Sequence, residues 1–201
     1  KETGLPFGGG LTDTLNALVE SDFIQRYRPY NVSGKVSFYK LIDNFSLFWL
    51  KYVEPNTEDI NFMTDNMTSN IMRVWRGVAF EEVCWQHIGQ IKRALGISGV
   101  SSSISAWSVK GNDNKEGVQI GLLIIRNENV VNLCEMKFAG DIYSIDKEED
   151  AKIRNRIQTL INTLSPKQSV HLTMITTYGV SHTMYGGRVQ QQVILDDLFQ
   201  S

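Results

Sequence analysis

Near the end of the apolar run Val130 to Phe138, Glu135 and Lys137 stand two residues apart. Period-2 strand geometry puts both on one face, with Met136 pointing the other way. A carboxylate and an ammonium at the end of a buried strand are costly unless they are paired, liganded or used. Carboxylate oxygens bind hard divalent cations such as Mg²⁺. A second carboxylate, Glu81, lies directly beside Phe80 in the helix-periodic stretch Val74 to Leu95, where Ile88, Ile91 and Leu95 continue the apolar stripe and Gly96 offers a stop. A Glu in such a face is either solvated at its edge or turned inward; beside a strand carrying Glu135 and Lys137, we read it as turned inward.

The elements that must position these residues follow from the pattern. Val118 to Lys137 reads as two apolar strands joined by the polar turn Arg126-Asn127-Glu128-Asn129, preceded by the alternating run Ser103 to Ser108. Lys147 to Leu164 carries Ile153, Ile157, Leu160 and Ile161 at helical spacing, and Pro166 ends it. Its exposed side carries Lys152, Arg154 and Arg156, a solvated or phosphate-facing surface. Val170 to Ile175 and Gln190 to Leu195 complete an αβββαβ order with one appended strand. Crossover rules make this a mixed sheet flanked by helices.

Before Pro55 the chain reads as a separate module. Leu11, Leu15, Leu18 and Val19 mark a helix, and Phe23 to Arg28 and Val36 to Leu41 form a hairpin around a turn-rich segment. Helix followed by hairpin is the ending of a winged helix-turn-helix. Arg26, Arg28, Lys35 and Lys40 suit phosphate contacts, whereas the helix carries Asp13 and Glu20 and no basic residue. Packing or protein contact is therefore preferred for it over major-groove reading. The aromatic run Phe45 to Val53 reads as a buried helix closing the module. The glycines at 8–10 lack the Gly-Lys-Ser/Thr of a phosphate-binding loop.

Composition bounds the remainder. The 201 residues are 42% apolar and 21% charged with net charge −2, so the chain is globular and any nucleic-acid contact is local. Cys84 and Cys134 read as small buried residues. His87, His171 and His182 are too scattered for a zinc site. No apolar stretch approaches the ~20 residues of a membrane span and no signal peptide is evident, which predicts a cytoplasmic protein without a membrane partner. The start at Lys1 predicts a piece of a longer chain.

The order and the signatures together resemble the PD-(D/E)xK nuclease superfamily: Gly77-Val78-Ala79-Phe80-Glu81 its first-helix G-x-x-F-E, and Glu135-Met136-Lys137 its E-x-K. More closely, IKRALGISGV, NLCEMKF, TMITTYGV and VILDDLF resemble the C-terminal half of a bacterial ATPase family with a P-loop ATPase, a winged helix and a nuclease-like domain. The resemblance implies a winged helix-turn-helix over 1–54, a linker and helix over 55–70 and a PD-(D/E)xK-like α/β domain over 71–201. It implies Glu135 and Glu81 as ligands of Mg²⁺, Lys137 as the group positioning water or stabilising charge, DNA as a partner, and the ATPase half as another. ATP would act only through that half. Arg26, Arg28, Lys35 and Arg154 are the nucleic-acid contacts expected. One departure stands out. The family's metal-binding Asp on the second strand is replaced by Gly121, after Gln119-Ile120. Either Asp113 or Glu116 reaches in instead, or the domain is degenerate and serves regulation or interaction, or the glycine is an inactivating substitution.

Overall fold

The computed structural model describes residues 8–30, 32, 36–111 and 117–200. The N-terminal piece is helix α1 (Gly9–Glu20) and an antiparallel hairpin of β1 (Ile24–Tyr27) and β2 (Phe38–Leu41). Lys35 lies outside the described residues, as do Asp113 and Glu116. The hairpin rests on the remainder of the chain. Ser105 Oγ donates to the Arg28 carbonyl at 2.7 Å and the Tyr30 amide to the Ala106 carbonyl at 3.2 Å. Lys40 Nζ, 3.0 Å from the buried Glu82 carboxylate, lies over the Trp85 ring.

The aromatic run departs from expectation. Helix α2 (Asn44–Phe48), N-capped by Asp43, widens into a π turn over Trp49–Val53. A short helix has one face to bury. Phe48 and Tyr52 take it, packing on Trp75 at ring distances of 5.1 and 5.9 Å. Phe45, Trp49 and Leu50 are left exposed instead of forming core.

A short α3 (Phe62–Asn66) precedes α4 (Asn70–Gln86), whose first turn is capped by the Ser69 hydroxyl. The apolar stripe expected as one helix is broken at His87, and α5 (Ile88–Ala94) follows. Gly96 then takes a positive φ of 69°, a left-handed exit that glycine adopts freely. Among the described residues no helix is long and apolar enough to cross a membrane.

A five-stranded mixed sheet holds the core: β3 (Ser102–Val109), β4 (Val118–Arg126), β5 (Val130–Lys137), β6 (Ser169–Thr176) and β7 (Gln191–Ile194), neighbours in that order. The first two pairings are antiparallel, the last two parallel. Helix α6 (Lys147–Ile161) makes the crossover from β5 to β6. Asp146 caps it, and Glu148, Glu149 and Asp150 in its first turn suit the positive end of its dipole. One face of the sheet buries Leu122, Ile124, Cys134 and Met136 against α4 and α5. The other buries Leu123, Val131, Leu133 and Leu172 against α6.

Candidate functional site

The site begins where β4 parts from β5. Their register runs from Ile125↔Val131 to Leu122↔Cys134, and the next residues, Gly121 and Glu135, are no longer paired. On its other edge β4 pairs Leu123 with Ser105 and Ile120 with Trp107, so Gly121 and Leu122 together oppose Ala106. That is a β-bulge, a device that re-aims side chains and ends pairing beside functional sites. Trp85 of α4 holds it, its indole Nε1 donating to the Gly121 carbonyl at 3.1 Å. The splayed strands leave a polar cavity of about 240 Å³ lined by Glu81, Gly121, Glu135, Lys137 and Arg156. Helix α4 supplies Glu81 and β5 supplies Glu135 and Lys137, so the three residues singled out from sequence face one cavity.

Sequence reasoning missed two further members. Arg156 Nη1 lies 3.2 Å from Glu135 Oε2 and 3.7 Å from Glu149 Oε1; Lys137 Nζ lies 2.7 Å from Glu149 Oε1. Glu135 and Lys137 are thus each paired with a residue of α6. Nor does Arg156 belong to the solvated side with Lys152 and Arg154. It stands three residues after Ile153 and four before Leu160, both fully buried, and so on the inward stripe. That spacing was the available signal.

Burial pushes the Glu135 carboxyl above its ordinary range; Arg156 and Lys137 oppose the shift, and Glu149 and Glu81 add to it. Burial first, and then the carboxylates of Glu149, Asp146 and Glu135, push the nearby Tyr143 phenol up to about 12. The phenol stays protonated at neutral pH.

Does this set hold a divalent cation? A Cβ on Gly121 would stand 3.4 Å from Glu81 Oε2 and 2.8 Å from Met136 Cε, so only the mobile end of a methionine resists it. A side chain at 121 would therefore project beside the Glu81 carboxylate, and glycine supplies none. The guanidinium of Arg156 already neutralises Glu135. Among the described residues no group of three metal-capable side chains assembles. The residues present do not fit a Mg²⁺ site. They offer instead two cations and a free carboxylate around a polar opening. Arg156 meets its two carboxylates through Nη1 alone, so Nε and Nη2 have no protein partner among the described residues.

The expected nucleic-acid contacts lie elsewhere. Arg26 and Arg28 are exposed on the hairpin. Arg154 pairs with the buried Asp150 at 3.0 Å, as Arg188 does, away from the polar cavity.

No family model matches the chain, and no curated protein matches it. Among solved structures it is similar to a protein of unknown function, AF1548, at 16% identity and a TM-score of 0.38, over 55% of this chain and 56% of that one. The match thus spans about half of that chain.

Proposed function

We propose that the chain is a nuclease-like module, of PD-(D/E)xK type beside a winged helix, that holds nucleic acid at a phosphodiester site without cutting it. The observation that carries this reading is the pairing of Arg156 with Glu135 beside Gly121. A cation of the protein's own stands on the carboxylate that a metal would need, and the neighbouring strand position has no side chain to complete the ligands. Guanidinium forks and ammonium groups recognise phosphate directly. The site then grips a phosphodiester through Arg156 and Lys137, with DNA as the expected partner.

The test compares the parent chain with Gly121→Asp for cleavage of plasmid and single-stranded DNA in Mg²⁺ and Mn²⁺, and for metal binding by calorimetry. The expected result is salt-dependent DNA binding without cleavage by the parent, with metal affinity gained in Gly121→Asp. Cleavage by the parent that disappears in Lys137→Ala overturns the non-cutting reading in favour of a Mg²⁺-dependent nuclease using Glu81, Glu135 and Lys137.

A second reading has its own support. Phe45, Trp49 and Leu50 line an apolar depression of about 300 Å³ on the surface. Exposed patches of this kind mark protein contacts, and an ATPase half of the same protein is the partner the sequence resemblance suggests. In that reading the chain is a regulatory interaction domain.

A further inference from the structure

The polar cavity has a neighbour. A groove of about 650 Å³ runs between the β1–β2 hairpin and the bulged β3–β4 pair, walled by Tyr27, Tyr30, Phe38 and Tyr39. Its inner end is formed by Glu81, Gln119 and Gly121, which also line the polar cavity. The two spaces meet at Gly121, where a Cβ would stand 3.4 Å from Glu81 Oε2 and 2.8 Å from Met136 Cε. With no side chain at 121, the Met136 methyl and the Glu81 carboxylate close in on the strand there, and the two spaces share this wall.

The two ends differ in chemistry. Tyr39 is 36% exposed and has no other ring within stacking distance among the described residues, whereas the Phe38 ring leans on Tyr27 at 6.1 Å and Tyr30 is half-buried against the core. The exposed Tyr39 face is suited to a flat partner. At the other end, Lys137 and the unused donors of Arg156 are suited to an anion. Flat faces joined to anions at regular intervals describe a nucleic-acid strand, and only an unpaired strand offers free base faces. A groove of this size falls in the range of small-molecule clefts and takes a nucleotide or two, not a duplex.

We infer that the aromatic groove binds an unpaired end of a nucleic-acid strand, with a base on Tyr39 and the backbone passing the shared Gln119–Gly121 wall to a phosphate at Arg156 and Lys137. This rests on the phosphodiester-holding reading above and adds the substrate form: single strand over duplex.

Fluorescence anisotropy of a labelled oligothymidylate, against a duplex of equal length, tests it on the whole chain. The parent should prefer the single strand. Tyr39→Ala, at a position exposed enough to leave the fold intact, should weaken that binding about five- to hundredfold, the value of one stacked base. Equal binding by Tyr39→Ala and Phe38→Leu, or a preference for duplex, overturns the groove. If Arg156→Gln loses binding while Tyr39→Ala does not, the groove assignment falls and the phosphodiester site stands. If the parent binds no nucleic acid, both fall. Displacement of the strand by a polyproline peptide would reassign the groove to an extended peptide and overturn the strand proposal.

Discussion

Trp85 and Gly121 are joined by a single hydrogen bond, indole Nε1 to carbonyl oxygen at 3.1 Å, that ties helix α4 to the bulge of β4. Glu81 stands one helical turn before Trp85, so the same bond sets the spacing between that carboxylate and the splayed strands. Trp85→Phe keeps an aromatic ring and removes the donor. We expect a loss of about 1–3 kcal/mol in urea unfolding, the cost of a buried acceptor left without its partner, with a shifted amide resonance at Leu122. An unchanged midpoint and spectrum would show that the bulge holds itself.

Arg156 is the nearest cation to a carboxylate whose side chain is 9% exposed. Arg156→Ala leaves Glu135 buried without that partner, and should cost about 1–3 kcal/mol at neutral pH. Adding Glu135→Gln should recover much of the loss, a coupling that a double-mutant cycle reads directly. Additive losses would mean that the pair does not interact energetically.

The raised Glu135 carboxyl gives a pH dependence of definite sign. Its folded form holds the proton more tightly than the unfolded chain does, so the group favours folding when protonated. That contribution is present below the ordinary Glu range and is lost as pH rises through the raised folded value. Glu135→Gln, which mimics the protonated acid, should therefore melt higher than the parent at pH 7. The gap should close as pH falls below the usual carboxylate range. A gap that widens toward acid would place the carboxyl below its ordinary value, not above.

Lys40 and Glu82 fasten the hairpin to α4, and burial raises the Glu82 carboxyl despite the Lys40 ammonium. Lys40→Ala should loosen the hairpin, read as faster amide exchange in Ile24–Tyr27 with little change in β5 and β6. Glu82→Gln in the same chain should restore protection by removing the stranded charge. Uniform exchange across both sheets in Lys40→Ala would show instead that the ion pair supports the whole fold.

Much of this arrangement is legible in the chain. The αβββαβ order follows from where apolar runs of strand length alternate with stripes of helical spacing, and Glu135 and Lys137 fall together because period 2 requires it. The bulge does not show. Ile120, Leu122, Leu123, Ile124 and Ile125 are all apolar, and a strand buried on both faces carries no alternation from which a one-residue slip could be read. Gly121 therefore reads as a lost side chain in a regular strand, whereas it stands where two residues oppose one. The break at His87 is hidden for a similar reason, since Ile88 and Ile91 keep the stripe in phase across it. The aromatic run misleads by composition: hydrophobicity says that Phe45, Trp49 and Leu50 want cover, and says nothing about whether this chain provides it.

Among the described residues the outer edge of β3 borders no further strand of its sheet, and two hydrogen bonds join it to the segment following β1, Ser105 Oγ donating to the Arg28 carbonyl and the Tyr30 amide to the Ala106 carbonyl. An open edge with free amides and carbonyls is a template on which another chain can add a strand. The hairpin that walls the groove thus also works as a guard rail: while it stays seated the sheet ends where it should, and a chain that sheds it becomes adhesive to its own copies.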